Sequence, residues 1–358
     1  MKKTKHILLG VADTLLYWQI IVSSLSGVDI LQSIILIVPY FGKLPDDFSL
    51  WLSSCSFNPT INWLIYTDQD TSDYDVPNNI SIKKCNLCDL KAAFQKHFDF
   101  SISLENPYKL CDFKPAYGDM FEKEIADYDF WGYCDIDLVF GNIRNFITDD
   151  ILCSYDRMFV FGHLSIYRNS PEMRELYRSK VDNCLYYKDV FSSPDSYAFD
   201  EFGYKSLGGL FQICSLKKIK VYNKILFAYA MEKYFALRCT YGGSLEQRKL
   251  EMKKKKVFFE FRNGQLVQRW GKTAKGEKEI CYIHIRLRKM LNFCTDDKHF
   301  YIYPGEYTNN SKKHFIDFGL NPEYIKWRIK RLKDYMTNLD YVKWRLNDII
   351  KKASHKHQ

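Results

Sequence analysis

Two aspartates one residue apart, Asp135 and Asp137, close the run Phe130-Trp131-Gly132-Tyr133-Cys134-Asp135-Ile136-Asp137. Paired carboxylates of this kind form a hard oxygen site that suits Mg2+ or Mn2+, an ion that bridges a diphosphate and offsets charge on a departing nucleotide. A D-x-D triplet is common by chance. Its position directly after an apolar strand points toward chemistry, because open α/β sheets bind ligands beyond the carboxyl ends of their strands. Late in the chain, His284 stands in Tyr282-Ile283-His284-Ile285-Arg286. An imidazole beside two carboxylates makes a manganese-type donor set, so Asp135, Asp137 and His284 are the candidate metal ligands. A transferase that inverts its substrate needs a further carboxylate to take a proton from the acceptor hydroxyl. Asp200 and Glu201, in F-D-E-F-G, are the candidates for that step, and His163 in Gly162-His163 is the candidate acceptor contact. Lys114 and Arg286 are candidates for neutralising phosphate.

The elements that would position these groups alternate between strand and helix. Ser33 to Tyr40 reads S-I-I-L-I-V-P-Y, a β-branched run suited to a buried parallel strand. A helix is expected around Phe48 to Leu52, then strands at Ile61 to Tyr66 and Ile80 to Lys84. Helices are expected over Leu90 to Phe98 and Ala116 to Ala126. Tyr128 to Tyr133 is the strand that delivers the acidic pair, and strand, helix, strand at this spacing is the pattern of a doubly wound sheet. Met158 to Phe161 reads as a strand, Gly162 to Ser165 as a connection and Pro171 to Val181 as a helix. Val257 to Phe261 and Leu266 to Trp270 pair as a hairpin around Asn263-Gly264, and Ile280 to Ile285 is the last strand.

Length and composition bound the class. The 358 residues are 46% hydrophobic and 16% aromatic, enough for one large α/β domain with appendages. The net charge of +9 is unevenly spread, with basic runs at Lys253 to Lys256 and from Lys326 to Lys352 around an acidic centre. That distribution suits a cation-dependent site with basic surroundings and lacks any nucleic-acid reader motif. Eleven cysteines show no disulfide framework or zinc spacing, which predicts a reducing, cytoplasmic setting. Residues 1–32 form an apolar extension, interrupted by Asp13, that suits a packed or peripheral helix better than a membrane span. Residues 33–295 are expected to form the catalytic domain and 296–358 a basic amphipathic helical region. From Pro322 on, Ile325, Ile329, Leu332, Met336 and Leu339 recur at helical spacing. Such a helix suits docking on the domain or on a second copy, and equally an anionic membrane surface at the inner face of the cell membrane.

Three segments carry a resemblance: I-V-P-Y-F-G at Ile37 to Gly42, Y-K-L-C-D-F-K-P-A-Y-G at Tyr108 to Gly118, and D-F-W-G-Y-C-D-I-D-L-V-F-G-N-I at Asp129 to Ile143. Over roughly Ser33 to Met290 the chain resembles a bacterial family of glycosyltransferase-like proteins from surface-polysaccharide gene clusters, largely catalogued as a domain of unknown function. The resemblance implies a GT-A-like, Rossmann-type mixed α/β sheet flanked by helices, a nucleotide-sugar donor such as a UDP-sugar, a glycan or lipid-linked acceptor, and a divalent metal. It also implies that Pro39, Tyr40, Phe41 and Asp68 lie under the nucleotide base and ribose, and that Asp112 and Lys114, which precede the acidic pair, bind the donor with Asp135 and Arg286. His284 is similar to the C-terminal histidine that completes the metal site in retaining galactosyltransferases of lipooligosaccharide synthesis, without their surrounding glycine and proline pattern. Two other readings stay open. Asp135, Asp137 and Val139 fit the D-x-D-x-V of haloacid-dehalogenase-type phosphatases, although that motif follows the first strand of its domain. A glycan- or membrane-binding protein with a disabled site is the non-enzymatic alternative.

Overall fold

The computed structural model describes residues 31–224, 226–231, 236–241, 257–271, 276–285, 290–303 and 305–311, with the backbone alone for 226–231 and 236–241. The run I-I-L-I-V-P forms β1 (Ile34–Pro39), which is parallel to β2 (Ile61–Thr67) on one side and to β4 (Phe130–Cys134) on the other. β3 (Ile80–Lys84) continues outward from β2, also parallel. Beyond β4 the sheet turns antiparallel through β7 (Leu164–Arg168) and β6 (Arg157–Phe161), and β8 (Val221–Tyr222) closes the edge. The order is therefore β3-β2-β1-β4-β7-β6-β8. The chain winds outward from β1 in one direction and returns to its other side at β4. Between those two strands lies the topological switch point, where doubly wound sheets open a crevice for ligands.

Helices α1 (Phe48–Ser56) and α2 (Leu87–Gln95) flank this sheet. One core cluster joins Leu36, Trp51, Trp63 and Phe140, and the other joins Phe94, Phe113, Trp131 and Tyr167. Each fully buried ring of this size contributes about 2–3 kcal/mol. The aromatic load is thus largely core, and the expected mixed α/β sheet flanked by helices is present.

Two smaller sheets complete the structure. In the first, β14 (Tyr282–His284) runs between β9 (Leu226–Met231) and β5 (Leu138–Phe140), with β10 (Ala236–Tyr241) outside β9. Pairing of β14 with β5 sets His284 opposite Leu138. The second is a six-stranded sheet in the order β13-β12-β11-β16-β17-β15. It contains β11 (Phe258–Arg262), β12 (Gln265–Trp270), β13 (Gly276–Glu279), β15 (Leu291–Phe293), β16 (His299–Tyr303) and β17 (Glu306–Thr308). Asn263 and Gly264 make the expected tight turn, both with positive φ. Phe259, Phe261, Leu266, Phe300 and Ile302 of this sheet pack on Leu50 and Val139 of the main body.

Three expectations change. The helix expected over Ala116 to Ala126 is a series of short turns, with α-helical pieces at Tyr117–Met120 and Glu122–Ile125. Pro115 precedes it, and Gly118 lies so close to the Trp131 ring that a Cβ would sit 2.4 Å from it. Leu164 and Ser165, expected as part of a connection, open a strand, Leu164–Arg168, that is buried along most of its length, without the alternation that marks a half-exposed one. Residues 299–303 and 306–308, assigned to the helical region after 295, are strands of the third sheet because Phe300, Ile302 and Tyr307 lie in its core. The N-terminal extension up to residue 30, the Lys253 to Lys256 run and the amphipathic segment from residue 312 lie outside the described residues. Among the described residues no helix is long and apolar enough to cross a membrane.

Candidate active site

The register of β1 with β4 ends on Ile37 beside Tyr133, so Pro39-Tyr40 and Asp135 emerge at the same sheet edge. Asp135 is held there by its own backbone. Its N–H donates to the His163 carbonyl at 3.0 Å, and its carbonyl accepts from the Trp51 indole at 3.2 Å. Asp137 follows on the entry to β5, where its carbonyl accepts from the Ile285 N–H at 2.9 Å. That bond, with the β5–β14 pairing, sets the His284 imidazole against the second carboxylate, its Nε2 3.4 Å from Asp137 Oδ1. Asp135, Asp137 and His284 bring one ligand atom each to within 4.8 Å of one another. Three residues from two distant parts of the sequence thus form one cluster at the switch point.

The cluster fits a divalent cation. Asp137 Oδ1 is buried, and among the described residues its polar neighbour is the His284 Nε2 at a long 3.4 Å, although a third of the side chain remains exposed. A buried carboxylate oxygen left in that state carries a desolvation cost that a cation relieves. Burial pushes the Asp137 carboxyl up, but His284 and, further off, Lys114 outweigh it and hold it below the usual range. The group is therefore ionised at neutral pH, as a metal ligand must be.

Lys114 supplies the fixed positive charge. Its ammonium donates to Asp135 Oδ1 at 2.5 Å and to the Gly162 carbonyl at 2.7 Å. Burial opposes that charge, yet Asp135, with Cys111 and Asp200 behind it, raises the lysine well above its ordinary value. Gly162 joins this lysine to the two candidate catalytic acids. Its N–H donates to Glu201 Oε1 at 2.7 Å, and a Cβ added there would lie 2.1 Å from Asp200 Oδ2. Asp200 is buried. Desolvation is the main cause that lifts its carboxyl, to about 8, against the pull of Lys114 and with the help of Glu201, Asp112 and Asp135. The His163 ring stacks on His284 at 4.2 Å, and its Nε2 lies 2.9 Å from the Tyr282 hydroxyl.

The remaining candidates divide. Tyr40 stands within reach of the cluster's charge: burial and then Asp137 raise its phenol, and its hydroxyl donates to the Lys43 carbonyl. Phe41 is buried in the core cluster beside the sheet and Pro39 ends β1. Asp68 sits on the exposed rim, accepting from the Gly42 N–H at 3.0 Å. Arg286 lies outside the described residues. Asp112 differs from the sequence expectation of a donor-binding residue. Its carboxylate accepts from Lys109 at 2.9 Å and from the Tyr197 and Phe199 N–H groups at 3.0 Å. It anchors the segment that carries Asp200, and its oxygens are already used.

A buried ion pair broken on one side leaves an unpaired charge, at a typical cost of about 3–5 kcal/mol. Asp112→Ala is therefore expected to lower stability by about that much, with urea unfolding as the measurement. A change under about 1 kcal/mol would remove Asp112 from this anchoring role.

Asp47, which was not among the sequence candidates, lies near enough to the cluster to feel its charge. Its carboxylate accepts from the buried Tyr307 hydroxyl of β17, and it feels the charge of Asp137. In P-D-D-F-S it reads as a helix cap, but its side chain makes no capping bond to α1. Its true partner lies about 260 residues away in a strand the sequence did not disclose.

The site defines a mixed α/β protein with a two-carboxylate, one-imidazole cluster at the switch point of its main sheet. The chain belongs to a family of unknown function, DUF6625, whose family model matches residues 36–311. A search of curated protein sequences finds no match. Two solved structures are similar in part. One is a galactosyltransferase, LgtC, in complex with donor and acceptor sugar analogues, at 12% identity and a TM-score of 0.29, covering 55% of this chain and 76% of that one. The other is mouse xyloside xylosyltransferase 1 in its apo form, at 10% identity and a TM-score of 0.34, covering 57% and 89%. At such scores the likeness bears neither on the reaction nor on the site residues.

Proposed function

We propose that this protein is a GT-A-type glycosyltransferase that moves a sugar from a nucleoside diphosphate donor, a UDP-sugar, to a glycan or lipid-linked acceptor in bacterial surface-polysaccharide synthesis. The observation that carries the reading is the convergence of Asp135, Asp137 and His284 at the β1–β4 switch point, with the Lys114 ammonium beside them. Asp135, Asp137 and His284 would hold Mn2+ or Mg2+, which when bound offsets negative charge on a diphosphate. Lys114 supports the same charge from a fixed position, at no cost of reorganisation when the bond breaks. Tyr40 and Asp68 flank the crevice on the side where a base and ribose would lie. Asp200 and Glu201 take the acceptor side with His163. Glu201 is engaged by the Gly162 N–H. Asp200 holds its proton until about pH 8, so it serves as a base only when deprotonated.

Calorimetric titration of UDP, GDP and ADP, each with Mn2+ and with chelator, tests this reading. One diphosphate is expected to bind with Mn2+ and not with chelator. A folded protein that binds none of them, or that releases phosphate from p-nitrophenyl phosphate without any sugar, would overturn it, the second result in favour of the phosphatase.

A further inference from the structure

The segment from Phe202 to Lys220 carries an apolar surface that the described residues leave exposed. Phe202, Tyr204, Leu207, Phe211 and Leu216 are 53%, 45%, 43%, 38% and 50% exposed, whereas most rings among the described residues are buried. Two short elements present them. Tyr204 and Leu207 exchange backbone hydrogen bonds at 3.1 and 3.0 Å across a two-residue tip, Lys205-Ser206. Both tip residues have positive φ, 49° and 74°, as a twisted hairpin turn requires, although glycine is the usual occupant there. The tip is thus a built projection and not a slack loop. Next comes α3 (Leu210–Leu216), which buries Leu210, Ile213 and Cys214 and turns Phe211 and Leu216 outward. Phe202 and Phe211 meet at 5.3 Å, joining the two elements into one ridge.

The segment's own charges have one sign, and the acids that border it are Asp156, which accepts from the Lys220 N–H, Asp182 beside Cys184, and Glu201, which is engaged by the Gly162 N–H. From Phe202 to Lys220 the sequence holds four lysines, Lys205, Lys217, Lys218 and Lys220, and no acid. All four are exposed, and Lys205 lies over the Tyr204 ring at 5.0 Å. Exposed aromatic and aliphatic side chains among lysines are the composition that enters the boundary between acyl chains and anionic headgroups. The ridge also adjoins the site. Phe202 touches Phe161 at 6.3 Å, Phe161 stacks on His163 at 5.2 Å, and His163 stacks on His284. The Phe211 N–H donates to the carbonyl of Glu201.

We infer that this ridge docks the protein on an anionic bilayer and turns the acceptor side of the site toward the lipid surface. Phe202, Tyr204, Leu207, Phe211 and Leu216 enter the interface while the four lysines pair with acidic headgroups. The orientation toward an acceptor rests on the transferase reading, whereas the docking surface stands without it.

Flotation of the full chain with vesicles of phosphatidylcholine alone, or with 30% phosphatidylglycerol (about the anionic content that gives a strong surface potential), tests the inference. Binding is expected to the phosphatidylglycerol vesicles and to weaken in high salt. Leu207→Ser/Phe211→Ser and, separately, Lys217→Glu/Lys218→Glu are each expected to reduce binding about tenfold or more. The charge variant touches no core residue, and near-ultraviolet circular dichroism reports that both variants keep the fold. Failure of the wild type to bind, or retention of full binding by either folded variant, would overturn the inference. The Mn2+-dependent nucleotide titration reads the site separately, so loss of one result leaves the other standing.

Discussion

Asp137→Ala is expected to lose Mn2+-dependent nucleotide binding while the protein stays folded. Loss of a partner that merely orients a metal ligand typically costs about 10–100-fold in affinity. Loss of a ligand whose buried Oδ1 has only the long His284 contact should therefore exceed about 100-fold. His284→Ala removes the nitrogen donor and should act in the same direction. Asp135→Ala differs in kind. It removes a ligand and also strips the partner from Lys114, whose side chain is 9% exposed. An unpaired buried ammonium adds a stability loss of about 3–5 kcal/mol. Titration of Mn2+ into each variant, beside urea unfolding in chelator, separates the two effects. Equal Mn2+ affinity in wild type and Asp137→Ala would remove the cluster as a metal site. Equal stability of the Asp135 and Asp137 variants would remove the Lys114 ion pair as a structural element.

The legible part of the site was the part with a local signal. Asp135 and Asp137 announce themselves because an all-apolar run ends on two acids, and the run folds as a fully buried strand, parallel to β1 and antiparallel to β7. His284 is visible as a polar residue in an apolar strand, and its pairing with β5 brings it to the acids. The strands β1, β2 and β3 followed from β-branched runs bounded by turn residues, within a residue of their observed ends. Asp112 and Asp200 show what sequence spacing does not disclose. Both are acids near aromatic residues, but Asp112 is saturated by amides 85 and 87 residues away. Asp200 is left facing Gly162 and Lys114 with its proton retained. The difference lies in which backbone N–H groups each carboxylate meets, a property of the tertiary fold. Asp47 failed for the same reason, since its partner Tyr307 stands in a stretch assigned to a helical tail. The exposed ridge was hidden by composition, because Phe202 and Phe211 look like core residues until the fold leaves them outside.

Asp200→Asn should flatten the alkaline loss of stability that the wild type shows in chelator. An aspartate in an unfolded chain titrates near 3.9, and Asp200 in the fold titrates at about 8. Between those values the folded state holds a proton that the unfolded state has released. Stability therefore falls as pH rises through that window and levels off above it. With about 1.36 kcal/mol per pH unit, the full loss is on the order of 5 kcal/mol by pH 9. Asparagine has nearly the same shape and no charge to bury, so the variant should match the wild type below about pH 4, already exceed it by about 1.5 kcal/mol at pH 5, and exceed it most at pH 9. Melting temperatures across that range, with metal removed, give the comparison. Parallel curves for the two proteins would mean that Asp200 ionises normally, and its burial beside Gly162 would then be an open, hydrated contact. If Asp200 also removes the acceptor's proton, the same variant loses turnover at every pH. The wild-type rate then climbs toward pH 8 while its stability declines, so catalytic readiness at Asp200 is gained at the expense of the fold that holds it.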